Sequence, residues 1–213
     1  PRLAVAAAAL VVVAAEPALA DAATDRPSGE LRLRWDDRQP STQGPIAEAN
    51  RIVPGFVAPA PSALVAQAWG QGVRYFDTAP GYGNGLSEYR LGHALRGYDR
   101  AQLVLSTKVG RVLTPTLGAP RDNGQYRDIP PFVADYDYSY DGVMRAVEQS
   151  MQRMLTDRFD VLFIHDCDRY THGAAQPDLF RQAIVSAFPA LESLRDQGVV
   201  KAIGFGVNET DVM

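Results

Sequence analysis

The sequence predicts an α/β protein built on a parallel sheet, and three observations carry that expectation. Between Ser62 and Val207, segments with helical spacing alternate with short, continuously apolar segments. Strands buried on both faces read as such unbroken runs, and parallel strands joined by helical crossovers are their usual setting. Polar residues capable of acid–base chemistry recur where the apolar runs end, at Asp77, Lys108 and His165. No Gly-x-Gly-x-x-Gly sits at a strand-to-helix turn, so the dinucleotide fingerprint of an open doubly wound sheet is absent. Periodicity alone leaves the closed barrel and the open sheet undecided.

The elements follow in order. Ser62 is placed to cap a helix that runs through Leu64, Val65, Ala68 and Trp69 to a stop at Gly72. Val73 to Phe76 reads as a short strand ending at Asp77. Ser87 and Glu88 open a second helix with Leu91 and Leu95 on one face, closing near Gly97. Glu88 suits either a polar network at the strand ends or the cap of that helix. Leu103 to Val109 is the second strand, and residues 110–138 read as a long polar loop containing prolines. Val143, Val147, Met151 and Met154 recur at helical spacing between Asp141 and Leu155. Phe159 to His165 is the third strand. A helix follows from about Pro177 to Gln197, and Pro189 is expected to break or kink it. Lys201 to Val207 is the last strand. Trp69 and Trp35 read as packing residues.

The first sixty residues differ in character. Leu3 to Ala20 is rich in Ala and Val and ends in Ala18-Leu19-Ala20, which resembles a secretory signal peptide with its cleavage site. Arg2 is the only early charge, and Glu16 and Pro17 interrupt the run, which argues against a membrane-spanning helix. A disordered leader explains the segment equally well. Residues 21–61 read as linker, with Leu31 to Trp35 as one alternating strand. The expected organisation is therefore a leader and linker over residues 1–61 and one α/β domain over residues 62–213. The expected location is cytoplasmic, or periplasmic or secreted where residues 1–20 act as a signal.

The 213 residues are 46% hydrophobic and 22% charged, the balance of an ordinary soluble domain. A net charge of −4 without any Lys/Arg block gives no footing for nucleic acid, and no membrane partner is expected. Cys167 is the single cysteine, so no intrachain disulfide forms. Its neighbours Asp166 and Asp168 disfavour a thiolate, and a nucleophilic role is not expected.

Asp77, Tyr82, Lys108 and His165 all fall at the carboxyl ends of strands or just beyond them, where parallel barrels build active sites from several strands. Each alone has an ordinary explanation: a turn cap, a surface aromatic, a solvated lysine, a core histidine. Four at equivalent positions point to chemistry. The segment Asp77-Thr78-Ala79-Pro80-Gly81-Tyr82-Gly83, then Leu86-Ser87-Glu88 and Leu91-Gly92, resembles the signature of the aldo-keto reductases. Ser106-Thr107-Lys108 is similar to the segment with that family's catalytic lysine. Ser150 to Leu155 and Asp160 to Asp166 are similar to the helix and strand that carry its histidine. Asp135 to Ser139, with His165-Asp166, most resembles the family's aldose dehydrogenase branch.

The resemblance implies an α/β fold that is a partial (β/α)8 TIM barrel, with strands two to five recognisable and strands six to eight missing. It implies NADP or NAD as cofactor and a small-molecule sugar or aldehyde as substrate, an aldose being oxidised to its lactone. Tyr82 is then the general acid or base, Lys108 the cation beside it, Asp77 the anchor of Lys108 and His165 the donor to the substrate oxygen. Asn208, with Asp77, is implied to bind the cofactor; Val207 stands where the family often has Ser. A cation within about 4–6 Å favours a phenolate over a phenol, which makes a tyrosine useful near neutral pH. A chain lacking strands six to eight would lack the residues that hold the cofactor's phosphates, so an inactive fragment or non-catalytic subunit is the alternative. Open barrel edges would favour self-association. A metal hydrolase using His165, Asp166, Asp168 and His172 ranks last, because no His-x-His follows any strand, and no metal is expected.

Overall fold

The computed structural model describes the backbone of residues 9–13 and residues 61–118, 122, 126 and 128–209. The expected strand at Leu31–Trp35 lies outside the described residues, Trp35 included. The strands are β1 (Ala9–Val13), β2 (Tyr75–Asp77), β3 (Val104–Val109), β4 (Arg111–Pro115), β5 (Phe132–Tyr136), β6 (Phe159–His165) and β7 (Val200–Val207). The α-helices are α1 (Pro61–Gly70), α2 (Leu86–Leu95), α3 (Tyr140–Met154), α4 (Arg169–His172), α5 (Gln176–Gln182) and α6 (Phe188–Asp196).

The main sheet runs β1-β7-β6-β3-β2, and β2, β3, β6 and β7 are parallel in chain order. Each new strand joins the same side of the growing sheet. A doubly wound sheet reverses its order at a switch point, whereas an arc of a barrel does not. The topology thus resolves what periodicity left open. β1 lies antiparallel on the other edge of β7, with Val11 opposite Phe205. No described helix is long and apolar enough to cross a membrane.

Helices cover the sheet through residues the periodicity singled out. Val143, Val147 and Met154 of α3 are buried against the strands and Met151 partly so; Ala146, Leu105, Leu162 and Ile203 complete the same core. Ser139 caps α3 by accepting from Gly142 N at 3.0 Å, and Leu155 closes it with a left-handed φ of 53°. Gly92 of α2 faces the α3 backbone so closely that a Cβ would lie 2.5 Å from Met154 Cα. Trp69 packs as expected, against Tyr98 at 4.5 Å between centroids and beneath the Arg74 guanidinium.

Two expectations are corrected. The long loop contains a hairpin: β4 and β5 pair antiparallel, Arg111 opposite Tyr136 and Pro115 opposite Phe132. Gly110, at φ 98°, turns the chain out of β3 into β4, and a Cβ there would strike the Tyr138 ring at 2.4 Å. Of the break or kink expected at Pro189, the break is absent, since helical residues continue from Gln176 to Asp196. A π-helical turn at Ala183–Ala187 precedes α6 and widens the helix just before the residue that cannot donate a backbone hydrogen bond.

Candidate active site

Three strands and a turn assemble the site. Asp77 ends β2, Lys108 is next to last in β3 and His165 ends β6, all at the carboxyl edge of the sheet. Tyr82 stands in the turn between β2 and α2, where Tyr82 N donates to Ala79 O and Gly85 N to Pro80 O at 2.8 Å. The parallel register sets Asp77 beside Ser106 and His165 beside Gly206, so neighbouring strands present their ends together.

Lys108 Nζ donates to Asp77 Oδ2 at 2.6 Å and to Thr78 O at 2.8 Å, and lies 4.8 Å from the centre of the Tyr82 ring. Burial works to lower its pKa, but the facing Asp77 carboxylate and Tyr82 oxygen outweigh burial and hold it above the ordinary lysine value. The ammonium is therefore permanent at neutral pH. Asp77 Oδ1 accepts a hydrogen bond from Ser106 Oγ at 2.5 Å.

The His165 ring stands edge-on to Tyr82, 5.9 Å between centroids and 82° between planes. Desolvation pushes its pKa down to about 3; the Lys108 and Arg111 cations act the same way and Asp166 opposes them. The imidazole is neutral across the physiological range. Its Nε2 is 3.5 Å from Asp166 Oδ1, and its Nδ1 is buried without a partner among the described residues.

A second network lies against the first. Asp166, at a left-handed φ of 54°, accepts from Arg111 Nη2 at 2.9 Å, from Asn208 Nδ2 at 3.1 Å and from Tyr136 OH at 3.4 Å. Arg111 also contacts the Tyr136 hydroxyl and stacks 4.1 Å from that ring's centre. Asn208 Nδ2 reaches Asp168 Oδ2 at 3.0 Å as well, while Thr171 N caps onto Asp168 Oδ1. No described residue donates to Asn208 Oδ1, which leaves an acceptor fit for an amide N–H at the end of β7. Tyr138 OH donates to His165 O at 2.7 Å and lies 3.0 Å from His172 Nε2. Burial raises the pKa of both Tyr136 and Tyr138 above the usual phenol range, so neither suits proton transfer.

The structure therefore gathers Asp77, Tyr82, Lys108 and His165, with Asn208 joined to them through Asp166. Arg111 was not predicted; its only signal was its position three residues after Lys108, inside a stretch that read as loop. Glu88 does not cap α2, whose N-cap is Gly85. Its fully buried carboxylate accepts instead from Arg153 Nε at 2.6 Å and Thr107 Oγ1 at 2.7 Å. Burial, reinforced by Asp168, pushes the Cys167 thiol up to about 12. Among the described residues no three His, Cys, Asp or Glu side chains are grouped to hold a metal ion.

Residues 56–213 match the aldo/keto reductase family model. The chain is 42% identical over 156 residues to D-threo-aldose 1-dehydrogenase of a Pseudomonas species, covering 71% of this chain and 45% of that protein. It is 39% identical over 163 residues to pyridoxal 4-dehydrogenase of Microbacterium luteolum, covering 71% and 47%. The holo form of an aldo-keto reductase from Bacillus halodurans superposes with a TM-score of 0.50 at 26% identity, covering 68% of this chain and 40% of that one. The chain spans about half the length of the curated relatives it matches.

Proposed function

Because the chain belongs to the aldo/keto reductase family, whose fold is the (β/α)8 barrel, we propose that its site interconverts a carbonyl and an alcohol with NADP or NAD, and that an aldose oxidised to its lactone is the substrate. The observation that carries this reading is the Asp77–Lys108–Tyr82 arrangement, a buried ammonium 2.6 Å from a carboxylate and 4.8 Å from the ring of a partly buried tyrosine. Similarity to D-threo-aldose 1-dehydrogenase supports the choice of an aldose.

A bound nicotinamide would supply the hydride acceptor in oxidation and the hydride donor in reduction. Tyr82 moves the proton. In oxidation it takes the anomeric hydroxyl proton as C1 loses hydride, and in reduction it returns a proton to the carbonyl oxygen. Lys108 stabilises the negative charge that Tyr82 carries between these events, and Asp77 keeps Lys108 charged and aimed. His165, neutral, donates from one ring nitrogen to the substrate oxygen and fixes its direction; an imidazolium would be too costly at this depth. Asn208 Oδ1 offers an acceptor to the nicotinamide carboxamide.

The test is Tyr82→Phe in the full-length protein, assayed for aldose oxidation alongside NAD(P)H binding followed by nicotinamide fluorescence. The expected result is loss of turnover by about 10²–10⁴-fold with cofactor affinity unchanged. Retained turnover would refute the role of Tyr82.

A further inference from the structure

Arg111 is held more firmly than an exposed arginine needs to be. One of its nitrogens, Nη2, is engaged by Asp166 and Tyr136, and the guanidinium carbon stands 4.1 Å over the centre of the Tyr136 ring. Its Nε is buried without a partner, and no described residue accepts from Nη1. The side chain presses on Gly81, where an added Cβ would sit 3.1 Å from Arg111 Cδ. Gly81 directly precedes Tyr82, and Asp166 directly follows His165. Arg111 thus borders the space between the two groups that would hold the reacting oxygen, with its planar fork locked by one edge and two N–H donors of Nη1 unspent.

The charge around it decides what those donors could read. Asp77, Asp166 and Asp168 surround the site against two cations, Lys108 and Arg111, each already 2.6–2.9 Å from a carboxylate. An anionic substrate group would meet a neutralised guanidinium and surplus carboxylate charge. A neutral hydroxyl would meet an oriented, charged donor, the stronger kind of hydrogen bond.

We propose that Arg111 is a specificity-determining residue that donates through Nη1 to the substrate hydroxyl beside the reacting carbon, with Asp166 as its positioning residue, and that the site selects neutral polyhydroxylated substrates over their phosphates. The inference rests on the aldose reading given above and narrows it. Asp166 acts indirectly: its strained backbone at φ 54° turns the carboxylate toward Arg111 and Asn208 at once, tying the hairpin β4–β5 to the ends of β6 and β7.

The experiment compares kcat/KM of the full-length protein for D-arabinose, its 2-deoxy analogue and its 5-phosphate, in wild type and Arg111→Met. In wild type, kcat/KM is expected to fall about 10- to 100-fold on losing the 2-hydroxyl and by about 10-fold or more on adding the phosphate. In Arg111→Met the 2-deoxy penalty shrinks to within about 3-fold, because the donor is gone and the loss falls chiefly on the sugar that carries the 2-hydroxyl. Equal losses on both sugars in the variant, or no 2-deoxy penalty in wild type, overturn the assignment while leaving the aldose reading intact. Failure of wild type to oxidise any aldose overturns that reading and this one together. Should Arg111→Met not fold, Arg111→Lys, which keeps the positive charge and loses the planar fork, takes its place in the same comparison with the same deciding outcomes.

Discussion

The Glu88 carboxylate is fully buried and meets Arg153 Nε at 2.6 Å, joining α2 to α3 beneath the strand that carries Lys108. Removing one partner strands a charge in the interior. Glu88→Ala is expected to lower stability by about 3–5 kcal/mol, measured by urea unfolding. Replacing both partners with apolar residues of similar volume, Glu88→Leu with Arg153→Met, should recover most of that loss. A single substitution costing less than about 1 kcal/mol would mean the pair is open to water.

Asp77→Asn removes the group that offsets the burial of Lys108. In the native protein the lysine pKa stands above its ordinary value, so its contribution to stability is complete below about pH 10.5 and is lost as pH rises through the folded value. In the variant, burial acts unopposed by Asp77 and the ammonium loses its proton at lower pH. The expected outcome is a fall in kcat of about 10²-fold, with the alkaline limb of the pH profile displaced toward neutrality. An unmoved limb would separate Lys108 from that ionisation.

His165 makes the opposite prediction on the acid side. Its folded pKa of about 3 lies below the unfolded 6.5, so the unfolded state binds the extra proton in between. Stability should decline as pH falls from 6.5 toward 3, with one group contributing a slope of up to about 1.4 kcal/mol per pH unit. His165→Gln is expected to flatten the unfolding free energy over this window by that one-proton slope. His172, whose pKa burial also lowers, accounts for part of the slope that remains.

Gly92→Ala tests the approach of α2 to α3. A Cβ at 2.5 Å from Met154 Cα has no flexible neighbour to displace, so the helices must separate. The expected cost is about 1–3 kcal/mol, read from thermal unfolding, and a rise in stability instead would place the two backbones further apart.

What could be read from the sequence was what local pattern encodes. β3 and β6 are short segments rich in Val, Leu, Ile and Phe, and α3 repeats its apolar residues at helical spacing, so their positions were legible to within a residue or two. The site was legible because Asp77, Lys108 and His165 each punctuate such a run. The hairpin was not: β4 and β5 pair across residues 116–131, and nothing in the intervening polar segment announces the partner. Arg111 escaped for the same reason, since its meaning comes from Asp166, 55 residues away. Glu88 and Arg153 lie 65 residues apart, and only a folded chain brings an acid and a base from two helices into one dry contact.

The same dispersal bears on how the site comes into being. Asp77, Lys108 and His165 belong to three strands joined through helical crossovers, so no local segment contains two of them on one element. Parallel pairing requires loop closure before its contacts reward it, which makes it a late event on a folding route. A collapsed intermediate with native helices would hold every one of these side chains and none of their geometry. Cofactor capture during refolding would therefore mark the arrival of the ordered sheet, and a time course of nicotinamide fluorescence would lag behind the recovery of helical signal.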